Sequence, residues 1–223
     1  TNALAYDAER DVLLLSSRNL SEVWVIDHST STAEAAGHAG GRFGRGGDLL
    51  ARWGNPRNHA GDGERQLFHQ HDAHWIPAGL PGAGNVLLFD NGPRPEGSFS
   101  RVLEFHLALP GEEAGRATSA EPLWSCAALE GEPFFSSHLS GAQRLPNGDT
   151  LVTIGAHARL VELTADGEVV WEYRHLLREG ELALRGAPNP DETADPHGRS
   201  RVGVFRATRI PPEHPGLAAL LGR

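Results

Sequence analysis

Short segments in which hydrophobic and polar residues alternate fill most of this 223-residue chain, with glycine, asparagine or aspartate turns between them. Alternation of this kind is typical of β-strands that bury one face. The clearest group of segments runs over residues 140–173, where Asn147-Gly148 is a strong signal for a tight hairpin turn. Groups that begin near Thr1 and His71 have a similar order, so a unit of about four strands restarts roughly every 70 residues.

The pattern predicts three groups of four strands. They are Asn2–Tyr6, Val12–Ser17, Glu22–Ile26 and Leu49–Trp53; Ala73–Ile76, Asn85–Asp90, Arg101–His106 and Leu123–Ala127; and Gly141–Leu145, Thr150–Ile154, Arg159–Thr164 and Glu168–Tyr173. Short helices are predicted over Thr32–Ala36 and Pro215–Leu221, and a Pro- and Asp-rich loop over 187–201. The segment Val202–Ile210 is predicted to be a strand that closes a ring.

Repetition of an antiparallel four-stranded unit favours an all-β fold in which the units form a ring or a stack. In the ring, the β-propeller, each unit is a blade beside a central channel. We expect one partial propeller domain over 1–223, with blades at about 1–58, 70–130 and 138–175 and a loop and closing strand over 176–223. The chain starts in strand-like sequence without a signal peptide, so we expect a part of a longer protein. Inner strands line the channel, and the polar residues at their starts are therefore the first candidates for chemistry.

Composition argues against several classes of function. The formal net charge of −9 at pH 7 disfavours binding to a nucleic-acid backbone, which needs a basic surface. No apolar run reaches the length that spans a membrane. The single cysteine, Cys126, cannot form an internal disulfide. The apolar share and the charge are those of a soluble protein.

Four histidines lie within sixteen residues, at His59, His69, His71 and His74. Imidazole is the usual base near neutral pH and a good nucleophile, so the clustering favours a functional site. His71, in Gln70-His71-Asp72, comes just before an inner strand and is expected to point toward the channel mouth. A structural histidine bonded to a neighbouring loop carbonyl is the alternative.

A zinc site is a further alternative for His69, His71 and His74, because zinc accepts imidazole ligands. His69 and His71 alternate on one face of an extended segment, whereas His74 faces the other way in a regular strand. No HExxH or CxxC motif accompanies them. We therefore predict no metal at this site.

Two other features are candidates for binding an anion. Arg18 ends the second strand and offers a fork of donors suited to sulfate, phosphate or carboxylate oxygens, although a solvated arginine is the usual alternative. The run Gly40–Asp48 could cradle an anion through backbone N–H groups, but it matches no phosphate-loop spacing, and a flexible insertion is the alternative.

Four sequence segments, spread along nearly the whole chain, resemble in their order the C-terminal half of the bacterial arylsulfate sulfotransferase family. They are SSRNLSEVWVIDHSTSTAEAAGHAGGRFGRGGDLLARWGNP, QHDAHWIP, SGAQRLPNGDTLVTIGAHARLVELTADGEVVWEY and VGVFRATRI. The resemblance implies a six-bladed β-propeller, of which about three four-stranded blades are present here. It also implies transfer of a sulfuryl group from an aryl sulfate to a phenol through a sulfohistidine, with no cofactor and no nucleotide sulfate donor.

The resemblance assigns roles to particular residues. The histidine of the QHD-type string matches His71, which implies the nucleophile, and the arginine of the SSR string matches Arg18, which implies binding of the sulfuryl oxygens. Asn2 matches the asparagine of a family His-x-Asn pair, whose histidine would fall immediately before residue 1. Asn2 is thus an expected substrate contact, and Ser140, which begins the third inner strand, is the other residue expected to donate to the substrate. Asp72, adjacent backbone or a residue of another blade would hold the second nitrogen of His71, and a second histidine would act as acid or base on the phenol oxygen.

Two other functions stay open on the sequence alone. One is a propeller that binds a partner or acts as a scaffold, or an inactive fragment, and the other is a metal-dependent hydrolase on the same fold. The expected partners of the sulfotransferase are small aryl sulfates and phenols, without nucleic acid or a membrane span. Open sheet edges favour association with further copies of the chain. Relatives of this kind can be periplasmic, and the compartment of this chain stays open.

Overall fold

Turn residues divide the alternating segments into short antiparallel strands. The structure is a computed structural model, and it describes residues 1–111, 121–174, 177–178, 181–182 and 203–220. The first sheet contains β1 (Ala3–Asp7), β2 (Val12–Ser17), β3 (Glu22–Asp27) and β4 (Ala51–Trp53), and the second contains β5 (His71–Trp75), β6 (Val86–Asp90), β7 (Arg101–Phe105) and β8 (Trp124–Cys126). A two-stranded ribbon follows, with β9 (Ala128–Leu129) and β10 (Glu132–Pro133). The third sheet contains β11 (Gly141–Arg144), β12 (Thr150–Ile154), β13 (Arg159–Leu163) and β14 (Val169–Arg174), and a second ribbon contains β15 (Leu177–Arg178) and β16 (Glu181–Leu182).

Each four-stranded sheet is a meander, in which every strand pairs antiparallel with the next one along the chain. This confirms the all-β fold, and every strand predicted within the three groups overlaps an observed strand. At the predicted hairpin Asn147-Gly148, Gly148 has a φ of +94°, a conformation that glycine adopts without steric cost. The strands of the two ribbons have two residues each, which is too short for an alternating pattern to reveal.

Two short helices, α1 (Thr32–Ala35) and α2 (Pro215–Leu220), lie where the sequence predicts them. A capping box starts α1: the Ser31 side chain accepts from the Glu34 N–H, and the Glu34 carboxylate accepts from the Ser31 N–H at 2.8 Å. The loop predicted over 187–201 lies outside the described residues. Neither helix has the length and apolar character that crossing a membrane requires, and no other helix does in the part of the chain that the structure describes.

Residues 203–210 differ from the prediction. The prediction of a strand over Val202–Ile210 is wrong for the described residues 203–210, which join none of the sheets. The segment is tied instead to the start of β11, where the Ser140 N–H donates to the Phe205 carbonyl at 3.2 Å. It thus borders the third sheet without extending the sheet.

The second sheet is packed between the first and the third. Leu88, on one face of β6, belongs to a hydrophobic core shared with the first sheet, whereas Phe89, on the other face, belongs to a core shared with the third sheet. At the inner edges, β5 contacts β1, and β11 contacts both β5 and β6. Sheets placed side by side with their first strands inward have the arrangement of neighbouring propeller blades. The chain is thus a fragment of a β-propeller, and the blade boundaries given above stay predictions.

Leu88→Ala is expected to lower the free energy of unfolding by about 2–5 kcal/mol, because a fully buried side chain between two sheets leaves a cavity when it is truncated. Urea denaturation followed by tryptophan fluorescence measures the change. Leu123→Ala is the matched control, since Leu123 is 59% exposed, and we expect it to alter stability by less than about 0.5 kcal/mol. Equal effects of the two substitutions would contradict the assigned core.

Candidate active site

A cavity of about 240 Å³ opens where the inner strands of the three sheets meet. Three of the four residues predicted for the site line it, namely Asn2, His71 and Ser140. The other lining residues are Ala3, Leu4, Asp72, Ala73, His74, Phe205 and Arg206. The fold therefore brings the starts of three distant strands to one place, as the propeller hypothesis requires.

A β-bulge in β5 sets the direction of two histidine side chains. His71 pairs with Phe89 and His74 pairs with Leu87, so two residues of β5 oppose one residue of β6 between these pairs. Asp72, the first of the two, has a φ of +57°. An extra residue reverses the alternation of side chains beyond it, and His71 and His74 accordingly line the same cavity. The expectation that His74 faces away assumed a regular strand and is wrong.

Asn91 holds the imidazole of His71, which is only 8% exposed. The Asn91 Nδ2 group donates to the carbonyls of Ser136 at 2.8 Å and Leu139 at 3.1 Å. Because carbonyl oxygens only accept, these bonds fix which way the amide points. Its Oδ1 atom, 2.7 Å from His71 Nδ1, must then accept a proton from that nitrogen. Neutral His71 consequently carries its proton on Nδ1 and its lone pair on Nε2.

The environment of His71 favours the neutral imidazole. Burial is the largest cause of a lowered pKa, because it removes water from around the charged form. The hydrogen bond to Asn91 acts in the opposite direction, while the positive charge of Arg18 lowers the pKa further. The ordinary histidine pKa is about 6.5, so a lowered value leaves His71 neutral and its Nε2 lone pair available at pH 7.

Asp72 does not hold the second nitrogen of His71, although the sequence made it a candidate for this role. Its Oδ1 atom accepts from Arg206 Nη1 at 2.6 Å, and its Oδ2 atom accepts from the Ala142 N–H at 3.2 Å. A Cβ atom on Gly141 would lie 2.3 Å from Oδ2, so glycine is needed there for this close approach. The carboxylate therefore joins the second sheet to the third.

Asn2 joins the first sheet to the segment before β5. Its Nδ2 group donates to the Gln70 carbonyl at 2.6 Å, and its backbone N–H donates to the Ser16 carbonyl at 3.0 Å. Within the described part of the chain, Asn2 Oδ1 is buried and has no hydrogen-bond partner. A buried acceptor without a partner is unfavourable, so this cavity-lining amide keeps unused hydrogen-bonding capacity.

Ser140 lines the cavity, but its hydroxyl is engaged in the protein's own hydrogen bonds. Ser140 Oγ donates to Ser136 Oγ at 2.9 Å and accepts from the Gly155 N–H at 2.9 Å. A hydroxyl has one proton to donate, and the bond to Ser136 uses it. The geometry thus favours a supporting role for Ser140 over the donation to a substrate expected from the sequence.

Arg18 is the one predicted site residue that does not line the cavity. It is half-buried, and its Nη1 group donates to Asn19 Oδ1 at 3.2 Å. Its positive charge nevertheless lowers the pKa of both His69 and His71, which places the guanidinium in their vicinity. Arg18 therefore lies beside the site rather than in its wall.

The glycine-rich run Gly40–Asp48 binds carboxylates of the protein itself. The Gly41 N–H donates to Glu34 Oε1 at 3.2 Å, and the Phe43 N–H donates to Asp27 Oδ2 at 3.1 Å. Backbone N–H groups that could have cradled an external anion are thus used within the first sheet and its insertion. This favours the alternative interpretation of the run as an insertion over its interpretation as a site for an external anion.

A metal site at the histidine cluster gains no support from the geometry. Within the residues that the structure describes, no group of three or more His, Cys, Asp or Glu side chains is placed to hold a metal ion. His69 has a φ of +62° and is not among the residues that line the cavity with His71 and His74.

Three residues of the site were not singled out from the sequence: Asn91, Phe205 and Arg206. Asn91 follows a predicted strand directly, in Asp90-Asn91-Gly92-Pro93. A polar residue at the end of a strand and before a turn is the sequence feature from which Asn91 could have been predicted as a site residue. Phe205 and Arg206 lie in the string VGVFRATRI, whose placement over the cavity depends on long-range contacts. No local pattern indicates such a placement.

Comparison with known families gives one match. The family model described as arylsulfotransferase (ASST) matches residues 1–175, which is more than three quarters of the chain and includes all four predicted site residues. No curated protein matches the chain.

Arg18→Gln is expected to raise the pKa of His71, because it removes a positive charge that disfavours the imidazolium. An NMR titration of the histidine ring resonances measures this pKa. Arg42→Gln is the matched control, since Arg42 lies in the glycine-rich insertion and donates to the Glu9 carbonyl. An unchanged or lowered pKa in Arg18→Gln would contradict the placement of Arg18 beside the site.

Proposed function

The chain belongs to the arylsulfotransferase family, and we propose that it transfers a sulfuryl group from an aryl sulfate to a phenol through a sulfohistidine at His71, without a nucleotide sulfate donor. Family membership supports sulfuryl transfer between aryl compounds in general. The observation that carries the finer proposal is the His71 imidazole in the cavity wall, with Nδ1 bonded to Asn91 and the lone pair left on Nε2. A buried, neutral and oriented imidazole is suited to act as a nucleophile.

In the first half-reaction, the Nε2 lone pair of His71 attacks the sulfur atom of the aryl sulfate. An N–S bond forms while the S–O bond to the aryl group breaks, and the phenolate leaves with the electron pair of that bond. Positive charge develops on the imidazole ring as its lone pair is used. The Nδ1–H bond to Asn91 Oδ1 strengthens with this charge, because hydrogen bonds from cationic donors are stronger than those from neutral donors.

Negative charge on the transferring oxygens is stabilised by groups around the cavity. Catalysis of the related phosphoryl transfer depends mainly on positioning and on fixed donors or cations near the oxygens. Arg18 supplies a positive charge near His71. Asn2 lines the cavity, and the Nδ2 proton that it does not donate to the Gln70 carbonyl is the donor that we assign to these oxygens.

In the second half-reaction, the acceptor phenol takes the sulfuryl group from His71. Its oxygen attacks sulfur, and the electron pair of the N–S bond returns to Nε2. His74 is the proton acceptor that we assign to this step. His74 Nδ1 lies 2.7 Å from the Asp72 carbonyl and donates to it, so the His74 lone pair is on Nε2 in the same cavity. The proton is returned to the phenolate that leaves in the next cycle.

His71→Ala is expected to reduce sulfate exchange between a chromogenic aryl sulfate and phenol by at least about a thousandfold, because the nucleophile is lost. Absorbance of the released phenolate measures the rate. Without an acceptor, the wild-type chain is expected to gain the mass of one SO₃ group on the peptide that contains His71. His28→Ala is the control, because His28 is exposed in the bend that follows β3 and bonds Asp11.

Full activity in His71→Ala would contradict the proposal. A wild-type chain that binds a partner protein and shows neither turnover nor the mass gain would instead support the binding or scaffold function. Activity that is lost with a chelator and restored by zinc would support the hydrolase alternative.

Asn91→Ala is expected to lower kcat for sulfuryl transfer by roughly ten- to a thousandfold with a smaller change in KM, because the tautomer of His71 is no longer fixed. ¹⁵N NMR of the imidazole reports the tautomer directly and is expected to show a mixture in the variant. Ser100→Ala is the matched control. Its hydroxyl bonds the Asn91 carbonyl at 2.8 Å, so removal disturbs the same buried network and leaves the bond to His71 in place. An unaltered tautomer in Asn91→Ala would contradict the positioning role.

A further inference from the structure

Residues 203–210 border the inner strand of the third sheet and lie beyond the residues that the family model matches. Hydrogen bonds hold them near both ends. The Ser140 N–H donates to the Phe205 carbonyl at 3.2 Å, and the Arg209 N–H donates to Gln143 Oε1 at 2.7 Å. The Gln143 side chain also donates back to the Arg209 carbonyl at 3.2 Å. The segment is therefore fixed relative to β11.

Two adjacent side chains of this segment, Phe205 and Arg206, line the same cavity as His71. Phe205 is 62% exposed and the Arg206 side chain is 54% exposed. An apolar ring and a guanidinium that both stay accessible at a cavity wall present a surface of mixed chemistry. That combination suits a ligand with an aromatic ring and a negative charge.

The Arg206 guanidinium is held by Asp72, the residue after His71. Arg206 Nη1 donates to Asp72 Oδ1 at 2.6 Å, and the carboxylate itself is buried and held on its other oxygen by the Ala142 N–H. A guanidinium has five N–H donors in a planar fork, and the bond to Oδ1 uses one of them. Asp72 thus orients Arg206 beside the nucleophile, while Arg206 offsets a carboxylate that would otherwise repel an anionic substrate.

We infer that Phe205 and Arg206 form the donor-recognition wall of the site: Arg206 binds the sulfuryl oxygens of the aryl sulfate, and Phe205 packs against its aromatic ring. This inference deepens the proposed function and rests on it for the identity of the substrate. It assigns substrate recognition to a segment outside the matched family region. Charge-assisted hydrogen bonds from a fork of donors are among the stronger contacts to such oxygens, and aromatic rings pack with favourable offset or edge contacts.

A structural clip is the competing explanation, in which Arg206 only fastens the segment to the second sheet. Arg209 provides the comparison, because it also fastens the segment and lies outside the cavity. Its Nη1 group is 2.5 Å from Glu162 Oε2. Ile210 is the comparison residue for Phe205. It is a large apolar residue of the segment that is 50% exposed and does not line the cavity.

Equilibrium binding of two sulfonates to the full chain tests the inference. Naphthalene-2-sulfonate carries a ring and a charged SO₃ group, methanesulfonate carries the charged group alone, and neither has an ester bond that can be transferred. Isothermal titration calorimetry at low salt measures Kd for both. Arg206→Gln is expected to weaken both ligands by roughly ten- to a hundredfold. Phe205→Ala is expected to weaken naphthalene-2-sulfonate by roughly three- to tenfold and to leave methanesulfonate unchanged.

The controls Arg209→Gln and Ile210→Ala are expected to keep both Kd values within about twofold of the wild type. Arg206→Lys, which keeps the charge and loses the fork, is expected to bind both ligands more tightly than Arg206→Gln and more weakly than the wild type. Circular dichroism and thermal melts establish that each variant is folded. The Arg206→Lys variant therefore tests the role of the Arg206 side chain even if Arg206→Gln prevents folding.

The inference is overturned if the wild type binds neither sulfonate, if Arg206→Gln binds both as the wild type does, or if Arg209→Gln weakens them equally. Failure of the proposed function has a different signature. In that case the sulfonates bind with the expected dependence on Phe205 and Arg206, while wild-type chain shows neither sulfate exchange nor the mass gain at His71.

Discussion

The side-chain amide of Asn91 is the point on which the site and the junction of two sheets both depend. It accepts from His71 Nδ1 at 2.7 Å and donates to the carbonyls of Ser136 and Leu139. Because both of its donors are committed, the amide has one orientation, and the histidine has one tautomer. The chemistry proposed for Nε2 follows from that single hydrogen-bond pattern.

The same contacts hold backbone in conformations that are otherwise unfavourable. Leu139 and Ser140 have φ values of +59° and +82°, a region that residues other than glycine seldom adopt. Hydrogen bonds from Asn91 to the Leu139 carbonyl and from Ser140 Oγ to Ser136 Oγ over-determine this turn. Asp72, at a bulge with a φ of +57°, reaches the third sheet from the other side. Asp72 and Ser140, two of the residues with this unfavourable backbone conformation, therefore line the cavity where the three sheets meet.

Local pattern was sufficient for the strands and for part of the site. Alternation and the Asn147-Gly148 turn act over a few residues, so the strand order and the hairpin could be read directly from the chain. Asn2, His71 and Ser140 start inner strands, and their convergence follows once the sheets are placed as blades. The orientation of His74 could not be read in this way, because a bulge is an insertion of one residue that alternation alone does not reveal.

The sequence by itself determined the all-β class, the meander order of the strands and the identity of the nucleophile candidate, because these depend on periodicity, turn chemistry and local strings. Tertiary structure decided what surrounds that nucleophile. Asn91 holds His71 across a strand pair, and Arg206 approaches Asp72 from a segment more than a hundred residues away in the chain. Such contacts are made between elements that pack together only after the sheets have formed, and each is fixed by the shape of the whole assembly rather than by its neighbours in sequence.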